Sequence, residues 1–97
     1  MPYLVLWSTR ALKDLQRVYD FLSEKSEDAA IEAFKTIKQA ALLLEDYPGA
    51  GRPANDLDPE HRELVIPFGG SGYVVVYEAD EKQILILALK HQREAGY

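Results

Sequence analysis

Hydrophobic and polar residues follow two different periods along the chain, and the changes of period predict its elements. Residues Pro2–Trp7 are almost all apolar or aromatic, which is typical of a strand covered on both faces. Ser8 and Thr9 then offer a helix N-cap, and apolar residues recur at three- and four-residue steps. This first helical stripe contains Leu12, Leu15, Val18, Tyr19 and Leu22, and it predicts that Lys13, Asp14, Gln16, Arg17 and Asp20 face water.

A second helix is predicted after a break at Ser23–Ser26. Ser26 is a further N-cap, and the acidic pair Glu27 and Asp28 suits the positive end of the helix dipole. The helical pattern continues to Tyr47, and two helices joined by so short a turn are expected to pack as an antiparallel hairpin. Its stripe contains Ala30, Ile31, Phe34, Ile37, Ala41, Leu42 and Leu44, and we expect Phe34, like Trp7, to lie in the core.

The second half of the chain returns to strand periodicity. Residues 47–60 are rich in Pro, Gly, Asn and Asp and predict a long connection. Strands are then predicted at His61–Phe68, Tyr73–Glu78 and Ile84–Leu89, with a tight glycine reversal between the first two. The sequence therefore predicts a single α+β domain over residues 1–97. Its N-terminal strand is followed by an antiparallel helical hairpin, which packs on one face of the sheet, and then by a three-strand antiparallel meander. Because two helices cover only one face, we expect some apolar sheet surface to be left for a partner.

Composition places the chain among globular proteins. Of its 97 residues, 47 % are hydrophobic and 28 % are charged, and the apolar runs are far shorter than the roughly 20 residues that span a bilayer. We therefore expect a soluble cytoplasmic protein that does not bind a membrane. Cysteine is absent and the two histidines show no metal-ligand spacing, so the sequence predicts neither a metal site nor a cofactor.

The charge balance argues against general nucleic-acid binding. A net charge of −5 is opposite to the basic balance of domains that dock on phosphate backbones. The acids concentrate in the helices and turns, so a local basic patch in the second half is compatible with the acidic total. The basic candidates there are Arg52, His61, Arg62, Lys90, His91 and Arg93.

Three segments of the second half carry a family resemblance. They are GAGRP at Gly49–Pro53, HRELVIPF at His61–Phe68 and the C-terminal LALKHQREAGY. With the preceding strand and helical pair, they resemble the RelE/ParE superfamily, the toxins of bacterial type II toxin–antitoxin modules. The resemblance implies a cognate antitoxin, whose C-terminal segment folds as it wraps the toxin. It also implies one of two targets, because some members cleave mRNA in the ribosomal A site whereas others poison DNA gyrase.

An RNA-cleaving toxin needs a base, an acid and cations around the reacting phosphate. The resemblance to the RelE branch implies these roles for Arg62, His91 and Tyr97, and adjacent strands would bring Arg62 and His91 together. The plain alternatives are that Arg62 pairs with Glu63 or a helix carboxylate, and that Tyr97 frays or packs. His91, with Arg93, would then only cap the strand end and loop carbonyls.

We favour the ParE branch for two reasons. The net negative charge of the chain suits a ribosomal site poorly, and the GRP turn is common in the ParE branch. This interpretation predicts a non-enzymatic gyrase inhibitor. A third hypothesis is a protein with the toxin fold that binds antitoxin but is not toxic. None of the three hypotheses predicts sequence-specific DNA binding by this chain alone. The predicted target-binding residues are Arg52, Lys90, His91, Gln92, Arg93 and Tyr97. Tyr73 and Tyr77 are predicted as antitoxin contacts, with partly buried rings and hydroxyls in water.

Overall fold

A computed structural model describes residues 2–54 and 58–92 as five strands and two α-helices, with one short 3₁₀ helix after the second α-helix. No helix in these residues is long and apolar enough to cross a membrane. In chain order the elements are β1 (Leu4–Trp7), α1 (Thr9–Ser23), α2 (Glu27–Leu42), the 3₁₀ helix (Leu43–Glu45), β2 (Arg52–Pro53), β3 (Arg62–Phe68), β4 (Ser71–Ala79) and β5 (Gln83–His91).

Both predicted helix caps are confirmed. The Ser8 hydroxyl accepts from the Ala11 N–H at 3.0 Å, and the Ser26 hydroxyl accepts from the Ala29 N–H at 3.2 Å. Each satisfies one of the backbone donors that the first turn of a helix leaves without an intrahelical partner. The second helix tightens into the 3₁₀ turn after Leu42, a few residues before the predicted end.

The strands form one mixed sheet in the order β1-β5-β4-β3-β2. β1 runs parallel to β5, and the other neighbours are antiparallel. Gly69, with φ of 61°, allows the tight turn from β3 into β4. The predicted α+β architecture is confirmed, with one addition. The two-residue strand β2 lies inside the predicted connection, because two residues carry no periodicity to detect.

The core lies between the helical pair and one face of the sheet. Val75, Tyr77, Ile84 and Ile86 are fully buried there against both helices. Each such aliphatic side chain stabilises the fold by roughly 1.5–3 kcal/mol relative to exposure. On the other face Val74 and Val76 are 4 % exposed, whereas Leu4 in the edge strand β1 is 58 % exposed. The uncovered apolar surface that the sequence predicts is therefore found at the β1 edge rather than at the centre of that face.

Four alanines are among the buried residues of the two helices, whereas several large apolar side chains of the predicted stripes are exposed. Leu12 is 52 % exposed and Phe34 is 41 % exposed, so the expectation that Phe34 lies in the core is wrong. Its ring instead packs edge-on against Tyr19, with centroids 6.5 Å apart. Trp7 is half-buried against the core. The buried helical positions are Ala11, Leu15 and Val18 in α1 and Ala30, Ala33, Ile37 and Ala41 in α2.

Candidate functional site

The sheet register separates the predicted catalytic pair. Arg62 pairs across β3 and β4 with Tyr77, whereas His91 pairs across β5 and β4 with Tyr73. Four residues along β4 amount to about 13 Å, and two strand spacings add about 10 Å sideways, so the two Cα atoms are roughly 16 Å apart. The expectation that Arg62 and His91 approach each other is wrong, because β4 lies between their strands and they occupy opposite ends of it.

Arg62 belongs to a hydrogen-bonded cluster around Gly51. Its Nη1 donates to the Gly51 carbonyl at 2.8 Å. The Tyr77 hydroxyl donates to the Pro48 carbonyl at 2.8 Å and accepts from the Gly51 N–H at 2.9 Å. The Tyr77 ring has no exposed surface, and its burial raises the pKa of the phenol above the usual 10.0. The expectation of a partly buried ring with its hydroxyl in water is therefore wrong for Tyr77. The expected partial burial is also wrong for Tyr73, which is only 4 % exposed.

Gly51 is glycine because the chain passes too close to its neighbours for a side chain. A Cβ there would lie 2.7 Å from the Glu63 carbonyl oxygen and 2.8 Å from the Tyr77 ring. The first of these atoms is backbone, which cannot turn away as a flexible side chain can. The GRP turn that carries part of the family resemblance is thus held from both sides, by Arg62 and by Tyr77.

Arg52, which lies in the GRP turn itself, forms an ion pair with Glu63. Its Nε donates to Oε1 of Glu63 at 2.8 Å, and the two side chains are 67 % and 7 % exposed. The sequence alternative that paired Arg62 with Glu63 is therefore wrong, because the cross-strand register sets Arg52 directly opposite Glu63. The basic residues at this end of the sheet serve the local structure.

The end of β5 places its polar residues on different faces. His91 lies on the helix-covered face, where its ring meets Tyr73 edge-on with centroids 5.4 Å apart. Its Nε2 lies 3.2 Å from the Ser71 hydroxyl. Lys90 points to the opposite face, since neighbouring strand residues alternate. Of the remaining predicted contacts, Gln92 is exposed and donates its N–H to the Gly72 carbonyl at 2.8 Å, whereas Arg93 and Tyr97 lie outside the described residues.

A groove opens where β5 ends. Its volume is about 590 Å³, within the range of small-ligand sites. Tyr73 is buried to 4 % exposure and forms part of the floor, whereas Phe21 is 51 % exposed and carries the Lys25 ammonium 4.6 Å from its ring centroid. We call this the β5-end groove, and it is lined by Arg17, Val18, Phe21, Leu22, Lys25, Tyr73 and His91.

Two residues of α1, Asp14 and Arg17, contact this end of β5, although helical periodicity predicts that both face water. Asp14 Oδ2 accepts a hydrogen bond from the Leu89 N–H at 3.0 Å. Arg17 Nη2 makes a longer contact of 3.5 Å to the Leu89 carbonyl. The reason is that β1 stops opposite Ile86, so α1 side chains bond the strand edge beyond it. Helical periodicity carries no signal for such a contact.

Asp14 is therefore expected to contribute to stability. Replacement by Ala removes the acceptor of a partly buried backbone N–H, which typically costs about 1 kcal/mol. Urea unfolding of Asp14→Ala should show a lower midpoint with an unchanged slope. Asp20→Ala on the same helix removes only an exposed side-chain contact and should stay within about 0.5 kcal/mol of the parent. Equal midpoints for the two variants would show that the Leu89 contact contributes nothing.

The described residues include no group of three or more His, Asp or Glu side chains that suits a metal ion. The two ends of the sheet present different groups. One end is occupied by internal contacts of Arg52 and Arg62, and the other offers the β5-end groove.

Comparisons with known proteins agree with this architecture. The family model described as ParE toxin of the type II toxin–antitoxin system parDE matches residues 5–96. The toxin RelE1 of Caulobacter vibrioides is 32 % identical over 94 residues, covering 97 % of this chain and 98 % of that protein. The toxin RelE2 of the same organism is 33 % identical over 87 residues, with 90 % and 92 % coverage.

The fold also matches a solved structure, the chromosomal ParDE toxin–antitoxin system from P. aeruginosa. The TM-score is 0.76 at 24 % identity, and the match covers 92 % of this chain and 95 % of the other. The family model and the full-length relatives together establish that this chain belongs to the ParE toxin family, within the RelE/ParE superfamily of type II toxin–antitoxin toxins.

Proposed function

We propose that this chain is a growth-inhibiting toxin that a cognate antitoxin neutralises, and that it acts by binding DNA gyrase rather than by cutting RNA. The observation that carries the choice is that Arg62 and His91 lie beside opposite ends of β4, which puts their Cα atoms roughly 16 Å apart. A base, an acid and cations must surround one phosphate to cleave it.

The engagement of Arg62 supports the same choice. Arg62 donates to the Gly51 carbonyl, on the side of the sheet away from His91. A net charge of −5 also opposes entry into an RNA-lined site. The antitoxin partner is supported by the family model, which is described as ParE toxin of the type II toxin–antitoxin system parDE.

The second candidate is a ribosome-dependent mRNA endonuclease. It is favoured by the name RelE carried by the two Caulobacter relatives and by the His91–Ser71 pair beside the β5-end groove. This mechanism would rely on His91 without Arg62, with any role of Tyr97 resting on the predicted spacing alone. The remaining candidate is that the chain binds antitoxin but is not itself toxic.

A supercoiling reaction tests the proposal. Purified chain is added to gyrase, ATP and relaxed plasmid, and the products are separated after protease digestion. We expect blocked supercoiling and linear DNA that was linked to protein, because a trapped gyrase holds cleaved DNA. Prior mixing with the antitoxin encoded beside the toxin should restore supercoiling, and gyrase without the chain gives the reference.

A matched translation assay decides between the candidates. Ribosomes programmed with a defined mRNA receive the parent chain, His91→Ala or Arg62→Ala, each checked for native circular dichroism. Normal supercoiling with mRNA cleavage that His91→Ala abolishes would replace the gyrase proposal by the endonuclease. A folded chain that is inactive in both assays yet binds antitoxin would leave only the non-toxic candidate.

A further inference from the structure

A second cleft lies between the two helices, and we call it the hairpin cleft. Its volume is about 480 Å³, and Leu15 forms its buried floor. Leu12 of α1 and Phe34 of α2 stand at its sides and are 52 % and 41 % exposed. Its lining residues are Leu12, Leu15, Gln16, Tyr19, Phe34 and Lys38. Among the described residues the two linings share no member, so the hairpin cleft is separate from the β5-end groove.

One row of α2 side chains beside the hairpin cleft has a symmetric order. Its members, Glu27, Ile31, Phe34 and Lys38, follow one another at spacings of four, three and four residues. Such spacings keep side chains on one face of a helix. The two central residues are apolar and 39 % and 41 % exposed, and the row has an acid at one end and a base at the other.

A second copy turned about a two-fold axis matches this row at every position. If the axis passes midway between Ile31 and Phe34, then Ile31 of one copy lies opposite Phe34 of the other. Glu27 then lies opposite Lys38, because both pairs have the same midpoint along α2. Apolar residues at three- and four-residue steps are the pattern by which two helices pack along their length. A two-fold interface is closed, and it makes each of these contacts twice.

The charges on either side of the row follow the same order. Asp20 and Asp28 are exposed near the end of the hairpin where α1 passes into α2, whereas Lys13 and Lys35 are exposed nearer the other end. Two-fold pairing therefore sets the acidic end of each hairpin against the basic end of the other. This order offsets the repulsion that a net charge of −5 otherwise creates between two copies.

The size of this face sets the strength of the pairing. α2 has 16 residues and is about 24 Å long, and two adjacent helices are about 20 Å wide. Two copies would therefore bury on the order of 1,000 Å² in total, at the lower limit of specific interfaces. A dimer of this kind is expected to dissociate in the micromolar range.

We propose that the exposed face of the helical hairpin is a self-association surface, on which a second copy of this chain binds antiparallel through α2. Ile31 of each copy enters the hairpin cleft of the other beside Phe34, and Glu27 of each copy pairs with Lys38 of the other. Because the β5-end groove shares no lining residue with the hairpin cleft, the dimer presents two such grooves. This self-association does not depend on which cellular target the chain acts on.

Sedimentation velocity of the antitoxin-free chain, from about 1 to 200 µM, tests the place of pairing. The 11.0 kDa monomer should give way to a dimer as the concentration rises. Phe34→Ser should raise the dimer Kd at least about tenfold, with urea midpoints as the check on folding. Phe21→Ser is the matched control, because its ring is 51 % exposed but lines the β5-end groove, and it should change the Kd less than about threefold. Equal effects of the two variants would overturn the assignment of this face.

An exchange of charges tests the antiparallel register. Glu27→Lys and Lys38→Glu each set like charges opposite one another, so either variant alone should dimerise at least about tenfold more weakly than the parent. In an equal mixture one copy carries lysine at both positions and the other carries glutamate at both, so every facing pair is again attractive. The mixture should therefore dimerise within about threefold of the parent Kd. A mixture no tighter than its components would overturn the register.

Urea midpoints of both charge variants are needed, because each change also removes a contact within the chain. Glu27 accepts from the Tyr19 hydroxyl at 2.6 Å, and the Lys38 ammonium lies 5.3 Å from the Trp7 ring centroid. Recovery in the mixture cannot come from these internal contacts, since neither variant regains its own.

The antitoxin and gyrase are the alternative occupants of this face. A parent chain that stays monomeric throughout the concentration range would overturn self-association. If such a monomer binds antitoxin more weakly after Phe34→Ser but not after Phe21→Ser, the face belongs to the antitoxin. If the same change instead weakens only the inhibition of supercoiling, the face belongs to gyrase.

Discussion

Tyr77→Phe is expected to destabilise the chain by about 2–3 kcal/mol, although it removes a single oxygen. The hydroxyl donates to the Pro48 carbonyl and accepts from the Gly51 N–H, so its loss leaves two backbone groups without this partner. Gly51 is buried, and water does not readily replace the lost bond there. The urea midpoint should fall at pH 7, and the amide of Gly51 should exchange faster with solvent.

The matched control for this change is Tyr19→Phe. The Tyr19 hydroxyl bonds Glu27 at 2.6 Å on the surface, so its removal should stay within about 0.5 kcal/mol of the parent. A loss in Tyr77→Phe no larger than in Tyr19→Phe would show that the Gly51 turn does not depend on the buried hydroxyl.

The difference in stability between the parent and Tyr77→Phe depends on pH, and the raised pKa of Tyr77 fixes the sign of that dependence. Burial raises the folded-state pKa of Tyr77 above 10.0, so its contribution to stability is complete below that pH. As the pH rises above 10.0, the tyrosine of the unfolded chain ionises first. The contribution of Tyr77 to the free energy of unfolding is then lost as the pH passes the raised pKa of the folded chain. The difference in unfolding free energy between the parent and Tyr77→Phe should therefore narrow in that window. A difference that widens there would contradict the raised pKa.

Local signals in the sequence were sufficient for most of the fold. Ser8 and Ser26 mark the helix starts because a cap is a contact within one turn, and the glycine pair at 69–70 marks a reversal for the same reason. Phe34 shows the limit of a stripe. Its position on the helix follows from periodicity, but its exposure depends on the tertiary packing. That packing buries Ala30, Ala33, Ile37 and Ala41 of the same helix and leaves Phe34 41 % exposed.

The candidate site depends on relations between distant segments, which periodicity does not contain. Arg62 lies at the start of β3 and His91 at the end of β5. An antiparallel meander places those two strand ends at opposite ends of the sheet, and the cross-strand register, which the sequence does not contain, fixes how far apart they lie. Helical periodicity predicts that Asp14 faces water. Its bond to the Leu89 N–H follows only from the end of β1 opposite Ile86, which leaves the edge of β5 open beyond that point. The family resemblance predicted the right superfamily and the GRP turn, yet the partners of Arg52 within the fold required the cross-strand register.

Arg52→Ala is expected to cost about 1–2 kcal/mol of unfolding free energy. It removes a 2.8 Å ion pair from Glu63, whose side chain is 7 % exposed. Removal of one partner of a fully buried pair costs about 3–5 kcal/mol, and the 67 % exposure of Arg52 reduces this through solvent screening. Arg10→Ala is the matched control, because that side chain is 62 % exposed and lies 3.9 Å from Asp14. It should change stability by less than about 0.5 kcal/mol.

The double variant Arg52→Ala/Glu63→Gln separates the structural role of Arg52 from a role in target binding. Without its negative charge, residue 63 no longer needs the guanidinium, so the double variant should recover most of the loss in urea unfolding. If Arg52 also contacts gyrase, as the sequence predicts, this restored chain should still fail to block supercoiling. A double variant as unstable as Arg52→Ala would refute the ion-pair explanation. One that is stable and blocks supercoiling fully would confine Arg52 to holding the turn beside β3.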